Sequence, residues 1–258
     1  MADRPGLRHR LSGWLERATV QRMAKLPAAP APFRGFPDSR GDFFLALALQ
    51  NDRDWFNAHR AEYEQGWAAP MAALLEQVRD GLRGAYGKRG LGRPKVFRIN
   101  RDVRFSKDKT PYKTHVAGWI PLETGGTPSP GATPAAIYLH VGVDERMTGC
   151  GCWMLEPDAL KRFRAALLDP RRGAALARHL SALAGKGFTV SSAESLVRVP
   201  AGVDPDHPRA DLLRMKGLVV DPGDVPKRLI TRPGLVGWLV EKARAAAPVV
   251  SWLADHVT

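Results

Sequence analysis

The order of patterns along this chain predicts an α+β fold, with a largely antiparallel central sheet flanked by N-terminal and C-terminal helices. Three observations carry that prediction. Apolar residues recur at helical spacing early in the chain and again toward its C-terminus. Between those regions the period drops to two in consecutive segments. Nowhere do strands and helices alternate as a parallel sheet requires.

Taken in order, residues 1–32 read as a basic extension and a proline-rich linker, Leu26 to Pro32. Leu7, Leu11, Trp14 and Leu15 fall at helical spacing there, the pattern of a basic amphipathic helix. The segment is expected as a loose tail, with Met23 as an alternative start. Residues 33–258 are expected as one domain. Asp38 or Ser39 caps a helix carrying Phe43, Phe44, Leu47 and Ala48, and Asp52 caps a second with Trp55, Phe56, His59 and Tyr63. A third starts near Pro70 and runs through Leu82, before a glycine-rich basic loop, Gly84 to Pro94.

Val96 to Phe105 alternates apolar and polar residues, which predicts a strand with one buried face. Arg101 falls on the apolar face, so either a bulge turns it outward or it is buried against a carboxylate. Val116 to Ile120 and Ala136 to Val143 are further strands, joined by a Gly, Pro and Thr-rich loop, Pro121 to Pro134. A fourth includes Cys150 to Leu155. Helices follow from Pro157 and over Ala174 to Leu183, then a short strand, Leu196 to Val199. Asp206-His-Pro208 reads as a helix entry, and Thr231 as the cap of a last helix that Pro248 kinks or restarts.

Composition excludes several classes. The chain has 258 residues, 44% hydrophobic and 25% charged, too apolar for a disordered chain. Two cysteines do not make a disulfide scaffold. No apolar run approaches the roughly 20 residues that span a bilayer, so integral membrane association is not expected. With no secretory leader pattern, a reducing, cytoplasmic location is expected. No motif calls for a cofactor or a resident metal. Cys150-x-Cys152 with His140 or His115 lacks a second cysteine pair, and reads better as small residues in a tight turn.

The net charge of +13 is concentrated. Residues 1–25 hold six cations against two carboxylates, and residues 93–115 hold eight against two. Concentrated charge can act as a site. On a strand, Arg98, Asn100, Asp102 and Arg104 would share a face at about 6.6 Å per i, i+2 step, a spacing that suits guanidinium forks on a phosphate. Ser106, Lys107 and Lys109 follow in a turn, and Thr110-Pro111 could start a short helix with free N–H groups. Tyr112 offers a ring or a hydroxyl, and Lys113 closes the run. The plain alternative is that Asp102 and Asp108 pair with these arginines and brace the turn. Ser106 and Lys109 match S-x-x-K, but Pro111 restricts the helix that pairing needs. Gly87 to Gly92 resembles a phosphate loop in composition only.

The run Arg98-x-x-Arg-Asp-x-Arg-Phe-Ser-x-Asp-Lys-x-Pro-Tyr-Lys113 resembles the signature of an uncharacterised family of conserved hypothetical proteins, domain of unknown function 2461. Phe33-Arg-Gly-Phe36, Asn51-Asp52 with Trp55-Phe56, Tyr138, Trp153 and Pro200 to Leu213 are similar to the family in the expected order, covering roughly residues 33–215 or beyond. Cys150 and Cys152 depart from it, standing where a glycine-rich turn is expected. The resemblance implies no particular activity and carries over no catalytic residue.

Three functions fit. The first is binding of a phosphate-bearing ligand (nucleotide, phosphorylated metabolite or nucleic acid) by Arg98, Arg101, Arg104, Lys107, Lys109 and Lys113, oriented by Ser106 and Tyr112. The second is an enzyme on a small anionic substrate, with Asp102, Asp108 or His140 as acid or base and a concavity where Arg98, Arg104 and Lys109 converge. The third is a structural or partner-binding protein in which the run is an ion network that braces the fold.

Overall fold

The computed structural model describes residues 31–38, 40–87, 89–123, 134–143 and 145–257. The basic extension, Ser39 and the centre of the Pro121–Pro134 connection lie outside the described residues.

Gly41, not Asp38, is the N-cap of helix α1, Asp42–Leu49. The Asp38 carboxylate accepts from the N–H groups of Arg40, Gly41, Asp42 and Phe43 at 2.8–3.3 Å. Asp52 caps α2, Arg53–Ala58, by accepting from the Trp55 N–H at 2.8 Å. The helix expected to reach Tyr63 breaks at His59. That ring stacks on Trp55 at 4.0 Å and donates through Nδ1 to the Trp55 carbonyl at 2.8 Å. The chain resumes as α3, Arg60–Tyr63, passes through one π turn, Glu64–Ala68, and continues as α4, Ala69–Gly81.

Six strands follow: β1 Lys95–Val96, β2 His115–Pro121, β3 Ala136–Gly142, β4 Arg146–Cys152, β5 Thr189–Ser191 and β6 Leu218–Asp221. They pair antiparallel throughout, in the order β1-β2-β3-β4-β6-β5. The remaining helices are α5 Pro157–Leu168, α6 Pro170–Ala184, α7 Ala210–Arg214 and α8 Gly234–His256.

Val116, Ile120, Ile137, Leu139, Val141, Cys150, Cys152, Leu218 and Val220 face α4 and α8 in the main core. Gly118 permits that contact. A Cβ there would lie 2.6 Å from Leu75 Cδ1 and 2.7 Å from the Lys95 carbonyl, so α4 rests on β2 only over glycine. The opposite face carries a smaller cluster: Ala117, Tyr138, Met147, Trp153 and Val219, with Phe97 and Trp119 against it.

Several expectations are corrected. No strand forms at Leu196–Val199; β5 and β6 form on either side of it, and Val197 is exposed. Residue Arg209, not Asp206, precedes the first turn of α7. Pro233, not Thr231, stands at the start of α8, and that helix runs unbroken through Pro248. Strand β4 stops at Cys152, three residues short.

Candidate functional site

Of the strand expected over Val96–Phe105, only Val96 lies in one, as the last residue of β1. In a regular strand Phe97 and Ile99 would share a face. Here Phe97 packs on Trp119 and Tyr138, whereas Ile99 enters the main core on the other side. The backbone therefore rotates at Arg98 and leaves the sheet. It returns as a narrow loop closed by an Asn100–Tyr112 bridge, with the Arg101 N–H on the Pro111 carbonyl at 2.8 Å and the Lys113 N–H on the Ile99 carbonyl at 2.9 Å.

Asn51 fixes this loop from outside. Its side-chain amide donates to the Tyr112 carbonyl and accepts from the Tyr112 N–H, both at 3.0 Å. The Tyr112 ring is buried and stacks on Phe56 at 4.2 Å. That ring is thus an anchor for the loop, and no helix starts at Thr110-Pro111.

The charged residues divide into a buried foot and an exposed tip. Lys113 is buried, with Nζ on the Arg98 carbonyl at 3.0 Å, and Arg98 is half-buried beside it. The Arg98 Nε is buried without a hydrogen-bond partner. Arg101 pairs with a carboxylate, Asp108, as one of its two expected fates requires, but it is only partly buried, its side chain 14% exposed. It also donates to Thr110 Oγ1, and to Ser106 Oγ at 3.4 Å.

At the tip, Arg104 grips Asp102 with two parallel bonds, of 2.9 and 2.6 Å. Lys109 donates to the Val103 carbonyl at 3.0 Å, so it does not pair with Ser106. Lys107 is exposed, and Phe105 between these cations is 96% exposed. The expected burial of Phe105 on a strand face is corrected: the turn carries it outward. Arg98 and the Arg104–Lys109 tip lie at opposite ends of the loop, so they do not converge.

The two carboxylates are held strongly ionised. Bonds from Arg104 lower the Asp102 pKa to about 2. The Thr110 N–H, then Arg101, lower that of Asp108 to about 2. A carboxylate with so low a pKa is a weak proton acceptor at neutral pH.

His140 belongs to a different group. It faces away from the main core with Ala117 opposite it on β2. Its ring stacks on His115 at 4.2 Å, its Nε2 lies 3.4 Å from Glu145 Oε2, and the Tyr138 hydroxyl lies 3.5 Å from its Nδ1. Sequence reasoning singled out His140 but missed Glu145, since only the β3–β4 hairpin brings the two together. Cys150 and Cys152 lie in strand β4 and not in the tight turn expected for them, and they point to the opposite, core side, where burial pushes both thiols up to about 12. The described residues contain no group of three His, Cys, Asp or Glu side chains arranged to hold a metal ion. No described helix is long and apolar enough to cross a membrane.

Comparison with known proteins supplies a family. The family model described as a conserved hypothetical protein, DUF2461, matches residues 40–252, and the chain belongs to that family. No curated protein and no solved structure matches the chain.

Proposed function

We propose that this DUF2461 chain binds a phosphate-bearing ligand on the tip of the 98–113 loop, and that the ligand is single-stranded nucleic acid. The observation that carries the reading is Phe105. A single exposed apolar side chain is ordinary, but this ring, 96% exposed, stands among Arg104, Lys107 and Lys109. The Arg104 guanidinium lies 5.9 Å from the ring centroid. A stacking ring with cations around it is how proteins hold unpaired bases and their backbone. An outward-facing tip suits a polymer better than a small phosphate compound, which needs a concave site. The ion pairs inside the loop support a division of labour. Arg101, Asp108 and Thr110 hold its shape, while Phe105, Lys107 and Lys109 meet the ligand.

The test is fluorescence anisotropy with a labelled single-stranded oligonucleotide across a salt series. Phe105→Ala should weaken binding by about 1–3 kcal/mol, the contribution of one stacked base. Lys107→Ala should flatten the plot of log affinity against log salt by about one unit. Binding unchanged in Phe105→Ala would overturn the reading. The bracing network is the second reading, favoured by Arg101. It expects no nucleic-acid binding at all, and a folding defect in Arg101 variants.

A further inference from the structure

The glycine-rich stretch after α4 builds a second basic site, distinct from the 98–113 loop. Arg79, Asp80, Arg83, Gly84, Gly87 and Arg89, among others, line a cleft of about 380 Å³ at the end of α4. Gly84 and Gly87 take φ of 75° and 62°, and no heavy atom lies within 4 Å of where either Cβ would stand. They are required by the backbone turn, and they leave open space around it. Their N–H groups have no backbone acceptor among the described residues. Tyr86 holds the turn in place by donating its buried hydroxyl to the Ala243 carbonyl at 3.0 Å.

The cations show where an anion would sit. Arg79 Nη2 and Arg83 Nη2 converge on one oxygen, Asp80 Oδ1, at 3.4 and 3.1 Å. That carboxylate oxygen marks a point where two guanidinium groups aim. Arg79 also pairs with Glu76, and Arg89 with Asp255. Arg83 has no ion-pair partner but Asp80 among the described residues, and its side chain is 81% exposed. A helix C-terminus ordinarily repels anions. Here Arg244 Nη2 donates to the last carbonyl of α4, Gly81, at 2.7 Å and offsets that field. Guanidinium forks beside open backbone N–H groups are the donor set that phosphate oxygens accept.

We propose that this cleft binds a phosphate monoester group. Arg83 turns from Asp80 to the phosphate, Arg79 and Arg89 flank it, and the Gly84 and Gly87 N–H groups donate to its oxygens. The cleft volume exceeds that of phosphate alone and sits at the small end of ligand pockets. Two sources of the group fit: a small phosphorylated metabolite, or the phosphorylated end of a nucleic-acid strand. The proposal does not rest on the function assigned to the 98–113 tip.

The full chain, labelled with ¹⁵N-glycine, is titrated with ribose 5-phosphate, then with a dinucleotide bearing or lacking a 5′-phosphate. The Gly84 and Gly87 amide signals should move and saturate. Arg83→Ala should weaken binding about tenfold, the loss of one charge-assisted bond. Asp80→Asn should tighten it, because the competing carboxylate is gone. Lys161→Ala, an exposed lysine of α5 that belongs to neither site, should leave it unchanged. Saturation by ribose 5-phosphate and by the phosphorylated dinucleotide alike supports a general monoester site. Response to the dinucleotide only when phosphorylated, with none to ribose 5-phosphate, assigns the strand end. Still amide signals at millimolar ligand in both wild type and Asp80→Asn would overturn the proposal, as would equal affinity in Arg83→Ala.

Discussion

Replacing Arg101 by Lys separates a charge from a shaped brace. The arginine fork serves Asp108, Thr110 and Ser106 from two different nitrogens, and its side chain is only 14% exposed. A lysine keeps the charge but reaches one of these partners at a time. Asp108 is 58% exposed, so its pairing adds little in water. What is lost is the pair of bonds to the neutral oxygens of Thr110 and Ser106, roughly 1 kcal/mol each, or about 2 kcal/mol together. In a domain of this size that lowers Tm by about 4–8 °C. Scanning calorimetry of wild type, Arg101→Lys and Arg101→Ala measures it. The two variants should melt within a degree or two of each other, both well below wild type. If Arg101→Lys melts with wild type, the residue acts by charge alone and the account of the loop as a hydrogen-bonded brace is wrong.

Acid should loosen the turn of this loop, where Asp108 also accepts from the Thr110 N–H at 2.9 Å. Asp102 and Asp108 have folded-state pKa values lowered to about 2, against 3.8 ordinarily. Their contribution is therefore present above pH 4 and lost as pH falls from about 4 toward 2. Limited proteolysis by an acid-active protease should cut within residues 102–109 before the core unfolds; cleavage equal at pH 4 and pH 2.5 would refute this. Cys150 and Cys152, buried with thiols pushed up to about 12, should ignore a thiol reagent at pH 8 in the native protein and both react after denaturation. Reaction of either thiol in the folded state would show that this side of β4 opens.

What the sequence revealed depended on how local the physics was. Asp52 capping α2 is a contact three residues long, and the Ile137, Leu139, Val141 alternation needs only its own strand. Both were legible. The rotation at Arg98 was not, because it follows from Phe97 and Ile99 finding partners on opposite sides of a sheet built by distant residues. Strands β5 and β6 are three and four residues long, too short for a period to register, and β6 exists through its pairing with β4. At the candidate site, the concentration of cations in 98–113 was visible at once. Their division into buried Lys113 and exposed Lys107 was not, since the alternation that suggested one shared face does not hold there. The role of Asn51 depends on a contact across the fold, to Tyr112, that no spacing encodes, and Glu145 reaches His140 only once the β3–β4 hairpin folds.

The sheet ends in its shortest strands on both sides, two residues in β1 and three in β5. A long exposed edge invites another chain to add a strand, the first step toward aggregation. Here a second copy would find at most a few ladder positions. At β1 it would also meet the exposed Lys95, and lysine on an edge repels a like-charged neighbour. The sheet's open margins are thus too brief to offer a second copy a long edge to extend.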